Sequence, residues 1–183
     1  IRIPSAYCGL FGLKPSRGRT SLAPAFGECW QGAAVEHVIT RSVRDSAAML
    51  DAVCGPVPGD PYFIPRPPAP FLEETRREPG TLIIGFTTRS PLGTEVHPEC
   101  RKAVEHAARV LEGLGHRVEE AEPAIDGTAL ARSYFMMYFG EMAADITELE
   151  GVLGRKPRPG DVEEPTWSLA LLGRAYSAGE FVL

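Results

Sequence analysis

The five residues LIIGF at positions 82–86 decide the fold class, because they form a continuous apolar run of strand length. Such a run is typical of a β-strand that is buried on both faces. A helix is predicted to begin at Pro98, and its apolar side chains recur at helical spacing until Gly115 ends it. A second strand is predicted at residues 116–122. Strand, helix and strand in this order predict the right-handed crossover unit of an α/β sheet.

Further helices are predicted on both sides of this unit. Upstream, Ser42 precedes an amphipathic pattern that runs to Gly55, and Asp45 stands three residues later in the position of a capping box. Downstream, helices are predicted at residues 128–151 and from Pro165 to the end of the chain. We therefore expect an α/β fold with a mixed sheet flanked by helices on both faces.

Two stretches of the upstream part are predicted to be irregular. Residues 1–32 are rich in glycine and proline, which predicts turns and brief strands. Residues 55–70 contain seven prolines, which favours an extended connection across the surface. A ligand for a proline-recognising domain is the alternative interpretation of this second stretch.

The composition is that of a globular protein of about one domain. The 183 residues are 44% hydrophobic and 23% charged, with a formal net charge of −5. This balance excludes a disordered acidic tail and a histone-like nucleic-acid binder. No apolar run in the sequence approaches the roughly 20 residues that span a bilayer. Neither nucleic acid nor a membrane is therefore expected as a partner.

The cysteines predict neither a metal site nor a redox site. They stand at positions 8, 29, 54 and 100, and these spacings match no metal-ligand or Cys-x-x-Cys pattern. We expect reduced, mostly buried thiols in a cytoplasmic protein. No metal and no cofactor are expected.

Residue types alone give little catalytic signal. The four histidines, at positions 37, 97, 106 and 116, all lie in ordinary contexts. Cys8 and His37 would make a nucleophile and a base by type, but nothing in their spacing brings them together. Lys14, Arg17 and Arg19 could meet a phosphate or a carboxylate, yet the glycine pattern of a phosphate loop is missing. This cluster is interpreted as a turn with solvated charges.

A more specific pattern occupies the first 21 residues. It reads Arg2-Ile3-Pro4, Cys8-Gly9, Gly12-Leu13-Lys14-Pro15, Gly18-Arg19 and Ser21. This resembles the downstream half of the amidase signature, in which Gly-Gly-Ser-x-Arg-x-Pro precedes Cys-Gly, Gly-Leu-Lys-Pro and Gly-Arg. The resemblance continues in TRSVRD at 40–45 and in GDP at 59–61. It covers residues 1–122 well and the remainder loosely.

The resemblance implies an enzyme that hydrolyses carboxamide bonds with a Ser, cis-Ser, Lys triad through an acyl-enzyme. In the family the nucleophile is the serine of Gly-Gly-Ser, so the alignment puts it directly before Ile1, with the cis-Ser and the Lys farther upstream. No catalytic residue is then expected among these 183 residues, and the chain alone is expected to be inactive. A start at Ile1 and an end inside a predicted helix agree with a piece of a longer protein.

The resemblance also implies how the chain is organised. Residues 1–183 are expected to be the central-to-downstream part of a single amidase domain. Within it, 1–54 end the signature core, 55–70 form the proline-rich connection, and 71–183 hold the strand–helix–strand unit and further helices. The expected partners are a small-molecule amide and the missing segments of the same protein, which would cover an exposed apolar edge. A homo-oligomer is left open.

Five residues near the start are expected to support the active site. Arg2 would pair with an upstream acid and fix the glycine turn that carries the nucleophile. Cys8 and Gly9 would pack under that turn, and Lys14 and Arg19 would stabilise the loop after it. These roles follow from the resemblance.

A methionine- and aromatic-rich stretch at residues 134–142 predicts either core packing or a hydrophobic substrate wall. Because members of the family place substrate-contacting helices in this region, Met137 and Tyr138 are the candidate pocket residues.

One departure from the family pattern narrows the subgroup. Glu36-His37-Val38-Ile39 stands where the family usually has Gly-Pro before the Thr-Arg of the helix entry. This resembles the branch with 6-aminohexanoate cyclic-dimer hydrolases more than the A-type chains of glutaminyl-tRNA amidotransferases. A non-catalytic scaffold or binding domain and an amidotransferase A-type subunit are the alternative functions.

Overall fold

A computed structural model describes residues 1–182. Within it the chain divides into two compact units, Ile1–Glu78 and Pro79–Leu183. We describe each unit by itself. The single domain expected from the sequence stays a prediction.

The first unit combines short helices with a small antiparallel sheet. Its elements in chain order are α1 Arg2–Cys8, β1 Phe11–Gly12, β2 Ile39–Thr40, α2 Val43–Val53 and α3 Phe71–Glu74. Strands β1 and β2 pair antiparallel, with Phe11 opposite Thr40.

Helix α1 corrects the prediction that residues 1–32 hold only turns and brief strands. Pro4 lies in the first turn, where backbone N–H groups have no partner within the helix and proline is tolerated. Gly9 ends the helix in the left-handed conformation, with φ 61°. The proline and glycine that suggested irregular structure therefore lie in the first turn and at the C-terminal cap of a seven-residue helix.

Helix α2 confirms the predicted amphipathic helix and its cap. The Ser42 hydroxyl accepts a hydrogen bond from the Asp45 backbone N–H at 3.1 Å. The helix buries Ser46, Ala47 and Leu50 on one face. This face supplies most of the core of the first unit.

The proline-rich connection has no helix or strand at residues 55–70, as predicted. Its two ends are fixed. The Gly55 backbone N–H donates to the Arg19 carbonyl at 3.1 Å. Past the connection, the two Asp51 carboxylate oxygens accept from the backbone N–H groups of Phe71 and Leu72 at 2.7 and 2.9 Å, so a residue of α2 caps α3.

The second unit begins with the predicted strand–helix–strand unit. Its elements are β3 Ile83–Phe86, α4 Pro98–Gly113, β4 Arg117–Glu120, α5 Gly127–Leu153, α6 Glu164–Arg174 and α7 Ala178–Val182. Strands β3 and β4 are parallel, with Ile83 opposite Arg117, so the crossover unit is confirmed. Pro98 opens α4, as predicted.

The expected burial of β3 on both faces is wrong for the described residues. Exposed and half-buried side chains alternate along the strand, and Ile83 is 71% exposed. This alternation belongs to a sheet that is covered on one face.

The end of the chain holds two helices where one was predicted. Helix α6 ends at Arg174, and α7 begins at Ala178. Ser177 and Glu180 cap α7 reciprocally, because the Ser177 N–H donates to the Glu180 carboxylate and the Glu180 N–H donates to the Ser177 hydroxyl. The predicted continuation to Leu183 lies outside the described residues.

Helices α5 and α6 pack closely through small residues. Gly173 of α6 lies against the backbone of α5, and a Cβ atom placed there would be 1.9 Å from the Phe139 carbonyl oxygen. Ala170 and Ile146 are buried in the same second unit. The missing side chain of Gly173 therefore sets the closest approach of the two helices.

An ion pair closes the loop between α5 and α6. The Arg155 guanidinium donates to both Asp161 carboxylate oxygens at 2.7 Å, and the Arg158 backbone N–H also donates to this carboxylate. These hydrogen bonds, the one from Arg155 first, lower the pKa of Asp161 from 3.8 to about 2.

We expect this loop to keep its closed form until strongly acidic pH. Because the pKa of Asp161 is lower in the folded state, its contribution to stability is present above pH 3.8 and is lost as the pH falls through about 2. An NMR titration of the Asp161 carboxyl carbon measures this directly. Arg155→Ala should raise the midpoint towards 3.8, whereas Arg158→Ala, which keeps the backbone N–H, should raise it less. An unchanged midpoint in Arg155→Ala would contradict the assignment.

Candidate functional site

Helix α1 and its cap hold three of the five expected supporting residues. Arg2 is the first residue of the helix and Cys8 the last, and both side chains are exposed. Gly9 follows as the left-handed cap. The structure therefore brings these three onto one short helix.

Ser5, which sequence reasoning missed, fixes the beginning of this helix. Its side chain is only 4% exposed, and its hydroxyl donates to the Ile1 carbonyl at 2.6 Å. The Ser5 backbone N–H donates to the same carbonyl at 3.1 Å. Gly12 of β1 packs against it, since a Cβ atom at Gly12 would lie 2.0 Å from the Ser5 Oγ atom.

Lys14 and Arg19 make contacts away from α1. The Lys14 ammonium donates to the carbonyl of Pro15. The Arg19 guanidinium donates to the Pro65 carbonyl at 2.9 Å and lies 5.8 Å from the centre of the Phe71 ring. Arg19 thus holds the proline-rich connection rather than the turn beside α1.

The cysteines occupy mixed environments, so the expectation of mostly buried thiols is wrong. Cys54 is buried at the end of α2, whereas Cys29 is half-buried. Cys8 and Cys100 are exposed and lie in terminal turns of α1 and α4. No disulfide joins cysteines in the described part of the chain.

Three histidines make hydrogen bonds that hold secondary-structure elements. His97 Nδ1 accepts from the Glu99 N–H as the cap of α4, and His116 Nδ1 accepts from the Leu82 N–H before β3. His37 Nε2 lies 2.9 Å from the buried Ser46 hydroxyl. His37 is therefore bonded to α2, and the pairing of Cys8 with His37 that residue types allowed is not formed.

A small cavity in the first unit is lined by two polar pairs. The Ser21 hydroxyl donates to Asp60, and the Tyr62 hydroxyl donates to Glu28. The Ser21 hydrogen bond, with one from the Val57 N–H, lowers the pKa of Asp60, while the bond to Glu28 raises the pKa of Tyr62. The cavity volume is about 30 Å³, which suits a water molecule and not an amide substrate. The Gly-Asp-Pro motif at 59–61 was the sequence signal for this place.

An apolar groove lies along the first half of α5. It has a volume of about 350 Å³ and is lined by Pro91, Leu92, Gly127, Leu130, Ala131, Tyr134 and Phe135. The candidate residues Met137 and Tyr138 are half-buried and do not line it. The Tyr138 ring stacks on Tyr134 with centres 6.0 Å apart, so the groove begins one turn before the predicted pocket wall.

Metal-binding and membrane-spanning features are missing from residues 1–182. They hold no group of three or more His, Cys, Asp or Glu side chains placed to bind a metal ion. Among the helices within that range, none combines the length and the apolarity needed to cross a bilayer.

Comparison with known proteins places this arrangement in a family. The family model described as Amidase matches residues 1–178. The chain therefore belongs to the amidase family.

Two relatives align with most of the chain. The 6-aminohexanoate-cyclic-dimer hydrolase of Pseudomonas sp. (strain NK87) is 36% identical over 187 aligned residues, which cover 97% of this chain and 38% of that protein. The A-type component of the glutamyl-tRNA(Gln) amidotransferase of Shouchella clausii is 36% identical over 154 residues, 83% of this chain and 31% of that protein.

A solved structure confirms the fold. The structure of 6-aminohexanoate cyclic dimer hydrolase complexed with substrate matches with a TM-score of 0.86 at 33% identity, covering 100% of this chain and 39% of that one. The α/β fold is thus that of the amidase signature enzymes. The chain spans about 38% of the length of the cyclic-dimer hydrolase.

Proposed function

We propose that this chain is part of an amidase that hydrolyses the carbon–nitrogen bond of a small linear or cyclic amide. The observation that carries the proposal is the match to 6-aminohexanoate-cyclic-dimer hydrolase, at 36% identity over 97% of the chain. The agreement of the two backbones over the whole chain supports it.

The proposed reaction runs through an acyl-enzyme on serine. The serine hydroxyl attacks the amide carbonyl, and its proton passes through the cis-Ser and Lys to the leaving amine as the carbon–nitrogen bond breaks. Water then attacks the ester, releases the carboxylic acid and restores the serine. The resemblance to the signature implies that the nucleophile directly precedes Ile1, which would put the triad in the complete protein.

The supporting roles are proposed for residues of the first unit. Arg2 is exposed at the beginning of α1. Its guanidinium is thus available to pair with an acid of the complete protein and to fix the glycine turn. Cys8 and Gly9 would pack beneath that turn. Lys14 and Arg19 would hold the following loop, and the bond of Arg19 to Pro65 would join that loop to the proline-rich connection.

Met137 and Tyr138 are proposed to line the substrate pocket. The stacking of Tyr138 on Tyr134 extends the apolar surface of the neighbouring groove towards them. A wall of methionine and aromatic side chains favours an amide with an apolar body.

The remaining segments of the same protein are proposed to cover exposed apolar residues. Tyr7 of α1 is 89% exposed and Ile83 of β3 is 71% exposed. They belong to a larger set of big apolar side chains that are at least about a third exposed, and so much exposed apolar surface favours burial by another segment or chain. A second copy of the chain and a cytoplasmic location stay predictions.

The test uses the complete protein that carries these residues. We expect it to hydrolyse small aliphatic amides and to show an acylated serine by mass spectrometry. A linear amide should release an amine, whereas a cyclic amide should open to a product with a new amino group and a new carboxylate. Replacing the serine that precedes Ile1 with alanine should abolish both signals, and the 183-residue chain alone should be inactive. Amide hydrolysis by the isolated chain would overturn the placement of the triad.

An amidotransferase component is the second candidate, because the Shouchella clausii amidotransferase chain is also 36% identical. That function requires a partner protein and a glutamine donor. If the complete protein hydrolyses no simple amide alone but releases ammonia from glutamine in the presence of such a partner, this candidate replaces the first.

A further inference from the structure

We infer that Ser5 is a positioning residue for the nucleophilic serine. The inference rests on the proposed function, in which the nucleophile is bonded directly to Ile1. Ser5 does not contact the reacting atoms. It acts through the Ile1 carbonyl, the first carbonyl of the described chain.

Two donors from Ser5 hold that carbonyl. The hydroxyl lies 2.6 Å from the Ile1 oxygen, and the backbone N–H lies 3.1 Å from it. Two hydrogen bonds on one oxygen fix the direction of the Ile1–Arg2 peptide plane. With that plane fixed, the residue before Ile1 would move only by rotation about the φ and ψ bonds of Ile1.

Ser5 also joins both ends of α1. Its own carbonyl accepts from the Leu10 N–H at 2.9 Å and from the Gly9 N–H at the left-handed cap. The backbone of Ser5 thus connects the Ile1 carbonyl with the residues that end α1.

The site around Ser5 is built to hold its side chain. Ser5 is 4% exposed, and its Oγ atom occupies the space that a side chain at Gly12 would need. Gly12 in turn belongs to β1 and lies opposite Ile39 of β2. The hydroxyl is thus fixed against a strand and not left to rotate in solvent.

A hydroxyl bonded to a carbonyl four residues earlier is common in helices, and α5 supplies a comparison. Ser133 donates to the Ala129 carbonyl at 3.0 Å on an exposed surface. That bond spans the same four residues as the Ser5 bond but lies in contact with solvent. The bond of Ser5 is buried, and it ends on the residue that would follow the nucleophile.

The experiment compares Ser5→Ala with Ser133→Ala in the complete protein. We expect Ser5→Ala to lower kcat by about tenfold with KM changed less than about twofold, because a small displacement of a nucleophile slows attack more than binding. The burst of acyl-enzyme formation should slow by the same factor. Ser133→Ala, which removes the same type of bond, should leave both unchanged.

A second measurement separates positioning from folding. Both variants are assayed well below their melting temperatures, with the folded fraction checked by circular dichroism. If wild-type protein hydrolyses amides and Ser5→Ala keeps the wild-type kcat and burst rate, the inference is wrong while the proposed function stands. If kcat falls only in proportion to the folded fraction, the role is structural and the inference is also wrong. If the wild-type protein has no amidase activity, the proposed function itself fails.

Discussion

Replacing Gly173 with alanine is expected to lower the stability of the second unit by about 3 kcal/mol, the upper range for an overpacked core. The new Cβ atom would stand 1.9 Å from the Phe139 carbonyl oxygen and 3.0 Å from the Ala143 Cβ atom. The first of these neighbours is backbone, so no side-chain rotation relieves the clash. Helices α5 and α6 must separate, which exposes Ala170 and Ile146.

Thermal unfolding followed by circular dichroism measures this effect. A loss of this size corresponds to a melting temperature lower by roughly 10 °C in a chain of this length. Gly151→Ala is the matched control on α5, because nothing lies within 4 Å of its added Cβ atom. That variant should be more stable than wild type by about 0.5 to 1 kcal/mol. Equal melting temperatures for the two variants would contradict the packing described here.

Gly12→Ala is expected to detach α1 from β1 and to destabilise the first unit by about 2 kcal/mol. Its Cβ atom would lie 2.0 Å from the Ser5 Oγ atom and 2.8 Å from the Ser5 Cβ atom. Rotation of the hydroxyl alone cannot relieve the second contact. In the complete protein the same change should reduce amide hydrolysis, because the Ile1 carbonyl loses a donor.

Two further variants test this explanation. Gly85→Ala in β3 places a Cβ atom 3.3 Å from the Ala121 Cβ atom and should change stability by less than about 1 kcal/mol. The double variant Ser5→Gly with Gly12→Ala removes the side chain at position 5 and adds a methyl group at position 12, which relieves the clash. It should recover most of the lost stability but not the activity, since the hydroxyl is absent. Full recovery of activity would refute the role of the Ser5 hydrogen bond.

Local signals were enough to predict the longer elements. The serine before α2 and the proline that opens α4 are boundary signals that act within one turn of the chain, and both were found in the predicted places. Helix α1 was missed because seven residues are too few to show a periodicity, and its flanking glycine and proline also suit turns.

The contacts that organise the candidate site depend on tertiary structure and were not predictable. A sequence shows that Gly12 is small but not that a serine hydroxyl fills its space. It shows an acid at Asp51 but not that the acid caps a helix 20 positions later. The residues beside Cys8 likewise did not reveal that its side chain is exposed. The family resemblance pointed to Arg2, Cys8, Gly9, Lys14 and Arg19 but not to the helix that holds the first two, nor to the hydrogen bond between Ser5 and the Ile1 carbonyl.

The anchoring of the proline-rich stretch has an evolutionary consequence. Both of its ends are held by residues of the first unit, one by the Arg19 carbonyl and the other by the Asp51 carboxylate. The loop between these two anchors can therefore change in length without breaking either of them. Doubling the number of residues in such a loop costs only about 0.6 kcal/mol in loop-closure entropy. Insertions and deletions among homologues should therefore concentrate at residues 55–70, and the sequences on either side should align without gaps.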